Sequence, residues 1–175
     1  MTPDQIWQPL VEELASLQRA GRKAEFWLRD DDAVDPTPAL DRLLDLTGEF
    51  AIPVTLAVIP ALTDEKLVAR LDETPHATVA IHGWAHRNHA PGDQKKQELG
   101  PHRPREAVLD ELAIIAQLRH AFDGGQPVGL LTHHLVHDES AWLFLERLLT
   151  VTTQTEACVW LPVRTLIGRC AGKGK

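Results

Sequence analysis

Two histidines four residues apart, His82 and His86, follow the short apolar run Val79-Ala80-Ile81. A buried strand ending there delivers the first imidazole at its carboxyl end. A helical turn after Ile81 brings the second onto the same side, where both can meet one ion; two solvated loop histidines would show the same spacing. Three successive carboxylates, Asp30, Asp31 and Asp32, follow another apolar stretch, Phe26-Trp27-Leu28. Adjacent carboxylates repel one another and are hard to bury unpaired. An apolar strand aimed into such a cluster reads as a source of metal ligands and general bases. A third apolar run, Pro127 to Leu131, ends in Thr132-His133-His134-Leu135-Val136-His137-Asp138.

An aspartate and two neutral imidazoles from separate elements hold a divalent transition metal on one face, leaving positions open for water and substrate. A bound metal brings the pKa of its water from ~15.7 toward about 7. A second carboxylate beside it takes a proton, and a histidine opposite gives one to a leaving amine. Those are the parts of a metal-assisted hydrolase. Iron oxygenases use a similar ligand set, but with a His and the carboxylate one residue apart, and no His-x-Asp triplet occurs here.

The elements that must position these groups are legible from periodicity. Thr2-Pro3-Asp4-Gln5 starts a helix in which Ile6, Leu10, Leu14 and Leu17 recur at helical spacing before Gly21. Thr37-Pro38 starts a second, and Val54 to Ile59 is an apolar strand closed by Pro60. Thr63 is placed to cap a short helix through Leu71. A loop rich in Pro, Gly, Lys and His spans 90–104, and a helix runs from Arg105 to Phe122. Asp138 or Ser140 caps another to about Leu149, and Thr155 to Trp160 is a last strand. Strands alternating with helices mean parallel strands and helical crossovers, so the fold class is α/β, a sheet or barrel. The polar clusters all follow strands and therefore gather at one end of the sheet.

The totals bound the rest. A chain of 175 residues fits one domain, 1–175, with no linker dividing it. Hydrophobic residues are 43% and charged residues 25%, the balance of a globular protein. The net charge of −7 and the lack of a basic cluster argue against a nucleic-acid partner. No signal peptide or membrane span is legible, which places the expected location in the cytoplasm. Cys158 and Cys170 make neither a disulfide framework nor a CxxC site. Histidine is the unusual count: nine, six of them at 82, 86, 89 and 133, 134, 137.

Leu28-Arg29-Asp30-Asp31-Asp32-Ala33, with Pro36 to Leu40 and Ile52 to Leu56 after it, resembles the first motif of the polysaccharide deacetylases, the NodB-homology family. His82-Gly83-Trp84-Ala85-His86 is similar to its second motif, with Gly83 in a Ser/Thr place. Val128 to His133 resembles the last, a strand ending Leu-x-x-His. The resemblance runs from about Phe26 to Leu149. It implies an irregular parallel (β/α) barrel in which metal-bound water attacks an N-acetyl carbonyl and releases acetate and an amine. Carried over by position, it makes Asp31 the general base and Asp32 a metal ligand, with a slip to Asp30 and Asp31 left open. His82 and His86 become the other ligands of a divalent metal, zinc first, and His133 the general acid, with His134 as alternative. The substrate implied is an N-acetylated sugar or oligosaccharide.

One departure is large. The family carries an Arg/Pro/aromatic motif and further strands and helices before its last motif, whereas here Asp123-Gly124-Gly125-Gln126 leads straight to Pro127. His102-Arg103-Pro104 precedes the helix and is no substitute. Either the chain is a shortened variant, active or inactive, or the sequence omits an internal segment. Two functions follow: a metal-dependent deacetylase, or a descendant that binds metal or carbohydrate without turnover. Arg29 is placed to orient the acidic cluster, Trp84 to wall the pocket or pack in the core, and His137 and Asp138 to border the site. His89 reads as a surface residue.

Overall fold

The computed structural model describes residues 3–82 and 111–171. Helix α1 (Pro3–Arg19) buries Trp7, Leu10, Leu14 and Leu17 on one face. Strand β1 (Ala24–Ala33) follows, then α2 (Pro38–Glu49), whose cap Thr37 accepts the Leu40 N–H at 3.1 Å. Strand β2 (Val54–Val58) is buried at all five positions. A 3-10 turn at Pro60–Leu62 precedes α3 (Glu65–Asp72). The cap of α3 is Asp64, which accepts from Lys66 N–H, and not Thr63. The Thr63 hydroxyl instead donates to the Ile59 carbonyl and closes the preceding turn. Strand β3 (Ala77–Ile81) comes next.

Described again from Glu111, the chain forms α4 (Glu111–Asp123) and β4 (Val128–Thr132). A 3-10 turn at His134–Val136 leads to α5 (Glu139–Thr153), capped by Asp138. Strand β5 (Cys158–Trp160) and helix α6 (Val163–Ala171) close the described chain. Helix α6 has no counterpart in the expectations from sequence. No described helix is long and apolar enough to cross a membrane.

The five strands make one parallel sheet in the order β3-β2-β1-β4, with β5 paired to the start of β1. Strand β1 does not stop at Leu28 but continues through the acidic run to Ala33. The ladder explains this: Arg29, Asp30 and Asp31 lie in register with Thr55, Leu56 and Ala57 of β2. Arg29 and Asp30 also pair with Leu131 and Thr132 of β4. Paired in this way, the backbone stays extended through Asp31, and Asp30 and Asp31 take opposite faces as successive strand residues do.

Register separates those faces. Phe26, Leu28 and Asp30 share one with Val54, Leu56, Val128, Leu130 and Thr132. Trp27, Arg29 and Asp31 share the other with Thr55, Ala57, Gly129 and Leu131. Two apolar cores fasten helices α1 to α5, and every strand residue in them belongs to the Phe26 face. Phe26 and Leu28 are fully buried there, each worth about 1.5–3 kcal/mol relative to exposure. None of the Trp27, Arg29, Thr55, Ala57, Gly129 and Leu131 set enters either core. Among the described residues, the two helix cores thus lie on one face, and Arg29 and Asp31 lie on the opposite one.

Candidate metal and acid–base site

Strand β1 is where the strand order reverses: β2 and β3 lie to one side of it, β4 to the other. In open α/β sheets such a reversal leaves a crevice beyond the carboxyl ends, where functional groups collect. Asp30, Asp31 and Asp32 end β1, His82 follows β3, and His133 and His134 follow β4.

A bulge between Asp31 and Ala33 fits the extra residue, Asp32, against two consecutive positions of β2. Asp32 has φ +69°, a left-handed conformation that Asp tolerates better than most non-glycine residues because its short polar side chain bonds locally. The bulge lets Ala33 return to the core face while Asp31 and Asp32 both remain near His82.

On the Trp27 face the contacts are close. Arg29 Nε donates to Asp31 Oδ1 at 2.6 Å, and Arg29 Nη2 to Oδ2 at 3.2 Å. The same Nη2 donates to His82 Nδ1 at 3.2 Å. His82 Nε2 stands 3.5 Å from Asp32 Oδ1 and 3.9 Å from Asp31 Oδ2. The backbone N–H of His82 donates to the Val58 carbonyl at 2.8 Å, which ties the residue to the end of β2. Asp31 and His82 keep only 7% and 12% of their side chains exposed, against 32% for Asp32.

Asp30 takes no part in that group. Its side chain turns to the core face and accepts from the Thr132 hydroxyl at 2.7 Å, the His134 backbone N–H at 2.9 Å and His134 Nδ1. Thr132 and the Asp30–His134 pair were not anticipated from sequence. The signal was present, since a period of two carried from Phe26 and Leu28 reaches Asp30 and skips Asp31. His133 is half-buried and directly follows Thr132, the last β4 residue paired with β1. Its backbone is extended there, φ −141°.

Asp31, Asp32 and His82 are therefore brought together, with His133 following β4 at the same end of the sheet. His86, the second expected histidine ligand, lies outside the described residues, as do Trp84 and His89. Among the described residues no group of three or more His, Cys, Asp or Glu is placed to hold a metal ion. The donors that are described nevertheless suit one. Two ligands sharing a tetrahedral zinc at about 2.0–2.1 Å stand about 3.4 Å apart, and Asp32 Oδ1 and His82 Nε2 are separated by 3.5 Å. Cys158 offers no nucleophile in its place, because burial pushes its thiol up to about 12.

No family model matches the chain, and neither a curated protein nor a solved structure does.

Proposed function

We propose that the protein is a metal-dependent deacetylase, removing acetyl groups from an N-acetylated amino sugar or a short oligosaccharide of it. The observation that carries this reading is the convergence of Asp31, Asp32 and His82 at the carboxyl end of the sheet, on the side away from the two helix cores of the described residues. Asp32 and His82, with His86, would hold the cation. When bound, a divalent ion such as zinc polarises the amide carbonyl and acidifies water.

The chain's own groups supply the proton transfers. Asp31 takes the proton of the attacking water, and Arg29 fixes its carboxylate through two hydrogen bonds. His133, which follows β4 at the same end of the sheet, gives a proton to the departing amine. Asp30 is already occupied by Thr132 and His134, which favours Asp31 and Asp32 over Asp30 and Asp31 as base and ligand. The strand order supports an incomplete (β/α) barrel. Strands β3 and β4 end the β3-β2-β1-β4 path, and the family's additional strands would close the wall between them.

That same open wall favours a second reading, a descendant that binds metal or carbohydrate without turnover. Acetate release from an acetylated glucosamine oligomer, measured with zinc and with chelator, separates the two. Chelator-sensitive release that Asp31→Asn removes is the expected result. Zinc binding with no acetate from the unaltered chain would establish the second reading.

A further inference from the structure

We infer that Arg29 is a positioning residue that opposes loading of the cation, because one guanidinium nitrogen occupies the histidine that the cation needs. This rests on the metal reading above and adds a control to it. The geometry is specific: Nη2 lies 3.2 Å from His82 Nδ1 while Nε holds Asp31 at 2.6 Å. A guanidinium carries donors and no acceptor. His82 Nδ1 therefore accepts, and the ring hydrogen of neutral His82 sits on Nε2, facing Asp32 Oδ1 at 3.5 Å.

A cation bound at Nε2 requires the lone pair of that nitrogen. The ring hydrogen must then move to Nδ1, where it meets the Arg29 Nη2–H, donor against donor. Metal-bound histidines usually give that second N–H to a carboxylate or carbonyl, and a guanidinium is neither. Binding at Nδ1 displaces Arg29 just as directly. By either nitrogen, loading needs Nη2 to leave His82, while Nε can keep its hold on Asp31. The Arg29 side chain is 35% exposed, so it has solvent to move into. Without the cation, the arginine offsets the repulsion among neighbouring carboxylates; with it, that duty is shared.

The test uses the full chain, its Arg29→Lys and Arg29→Gln variants, and zinc, with affinity read by competition against a chromophoric chelator near pH 7.5. Lysine keeps the positive charge beside Asp31 without the planar fork, and glutamine presents a carbonyl that can accept from Nδ1–H. Both variants are expected to bind zinc about tenfold more tightly, the scale of one hydrogen bond. Long-range nitrogen–proton NMR of His82 gives a second readout that folding alone does not move. The hydrogen belongs on Nε2 in the metal-free chain and on Nδ1 after zinc is added. Equal or weaker zinc affinity in Arg29→Lys overturns the inference and leaves the metal reading standing. So does finding the hydrogen on Nδ1 of the metal-free chain. Failure of all three chains to bind zinc overturns the metal reading and this control with it.

Discussion

Asp30 Oδ1 and His134 Nδ1 stand 2.5 Å apart, with neither side chain more than 1% exposed. The carboxylate only accepts, so Nδ1 carries the hydrogen. His134 Nε2 is buried with no hydrogen-bond partner among the described residues. The pair joins the end of β1 to the turn after β4, and Thr132 completes it from the neighbouring strand. Asp30→Ala strands three donors in a buried place, and breaking such a pair typically costs about 3–5 kcal/mol. A urea midpoint that falls accordingly is the expected outcome. A change below about 1 kcal/mol would show that the pair does not fasten the fold.

The neighbouring carboxylate should answer differently. Asp31 faces Arg29 and His82, and the charge removed by Asp31→Asn is the one assigned to proton transfer. Acetate release should drop about 10²–10⁴-fold, the usual contribution of a general base. Zinc affinity should stay within severalfold, and the urea midpoint should move less than in Asp30→Ala. If Asp30→Asn silences turnover while Asp31→Asn spares it, the base has been assigned to the wrong carboxylate.

The contrast between Asp30 and Asp31 also marks what the sequence discloses. Alternating strands and helices are legible because Leu10, Leu14 and Leu17, or Val54 to Ile59, carry periods set by backbone geometry. The clustering of Asp30–Asp32, His82 and His133 at one end then follows from parallel strands. Which face each carboxylate takes depends on how far β1 continues, and pairing with β2 and β4 decides that rather than local propensity. The bulge at Asp32 is likewise a product of the β1–β2 register. The cap of α3 passed from Thr63 to Asp64 because the Ile59 carbonyl claimed the threonine hydroxyl. Helix α6 follows a three-residue strand and starts at Val163, directly after Leu161-Pro162, with no capping box or long apolar period to announce it.

Gly129 tests the face opposite the two helix cores. A Cβ built there would lie 2.8 Å from three atoms of the Trp27 indole, so the ring covers the backbone of β4 as only glycine allows. Gly129→Ala forces the ring to shift and should cost about 1–3 kcal/mol, the scale of overpacking. The cost should largely vanish in a Trp27→Ala background, giving a double-mutant coupling of at least about 0.5 kcal/mol. Additive effects would mean that the indole does not rest on that strand in solution.

His137 supplies a pH dependence with a definite sign. Its ring packs edge-on against Trp142 at 4.6 Å between centroids. Burial, before any other cause, lowers its pKa; the nearby His134 and His133 push the same way, while Asp30 and Asp138 oppose. The unfolded chain then takes up a proton near pH 6.5 that the folded chain resists, so stability is full above that pH. It falls as the pH drops from about 6.5 toward the lowered folded value, below which this contribution declines no further. His137→Gln has no such proton to take up. Urea midpoints at pH 7.5, 6.5 and 5.5 should therefore decline more steeply in the unaltered chain than in the variant. Parallel declines would assign the acid sensitivity to groups other than His137.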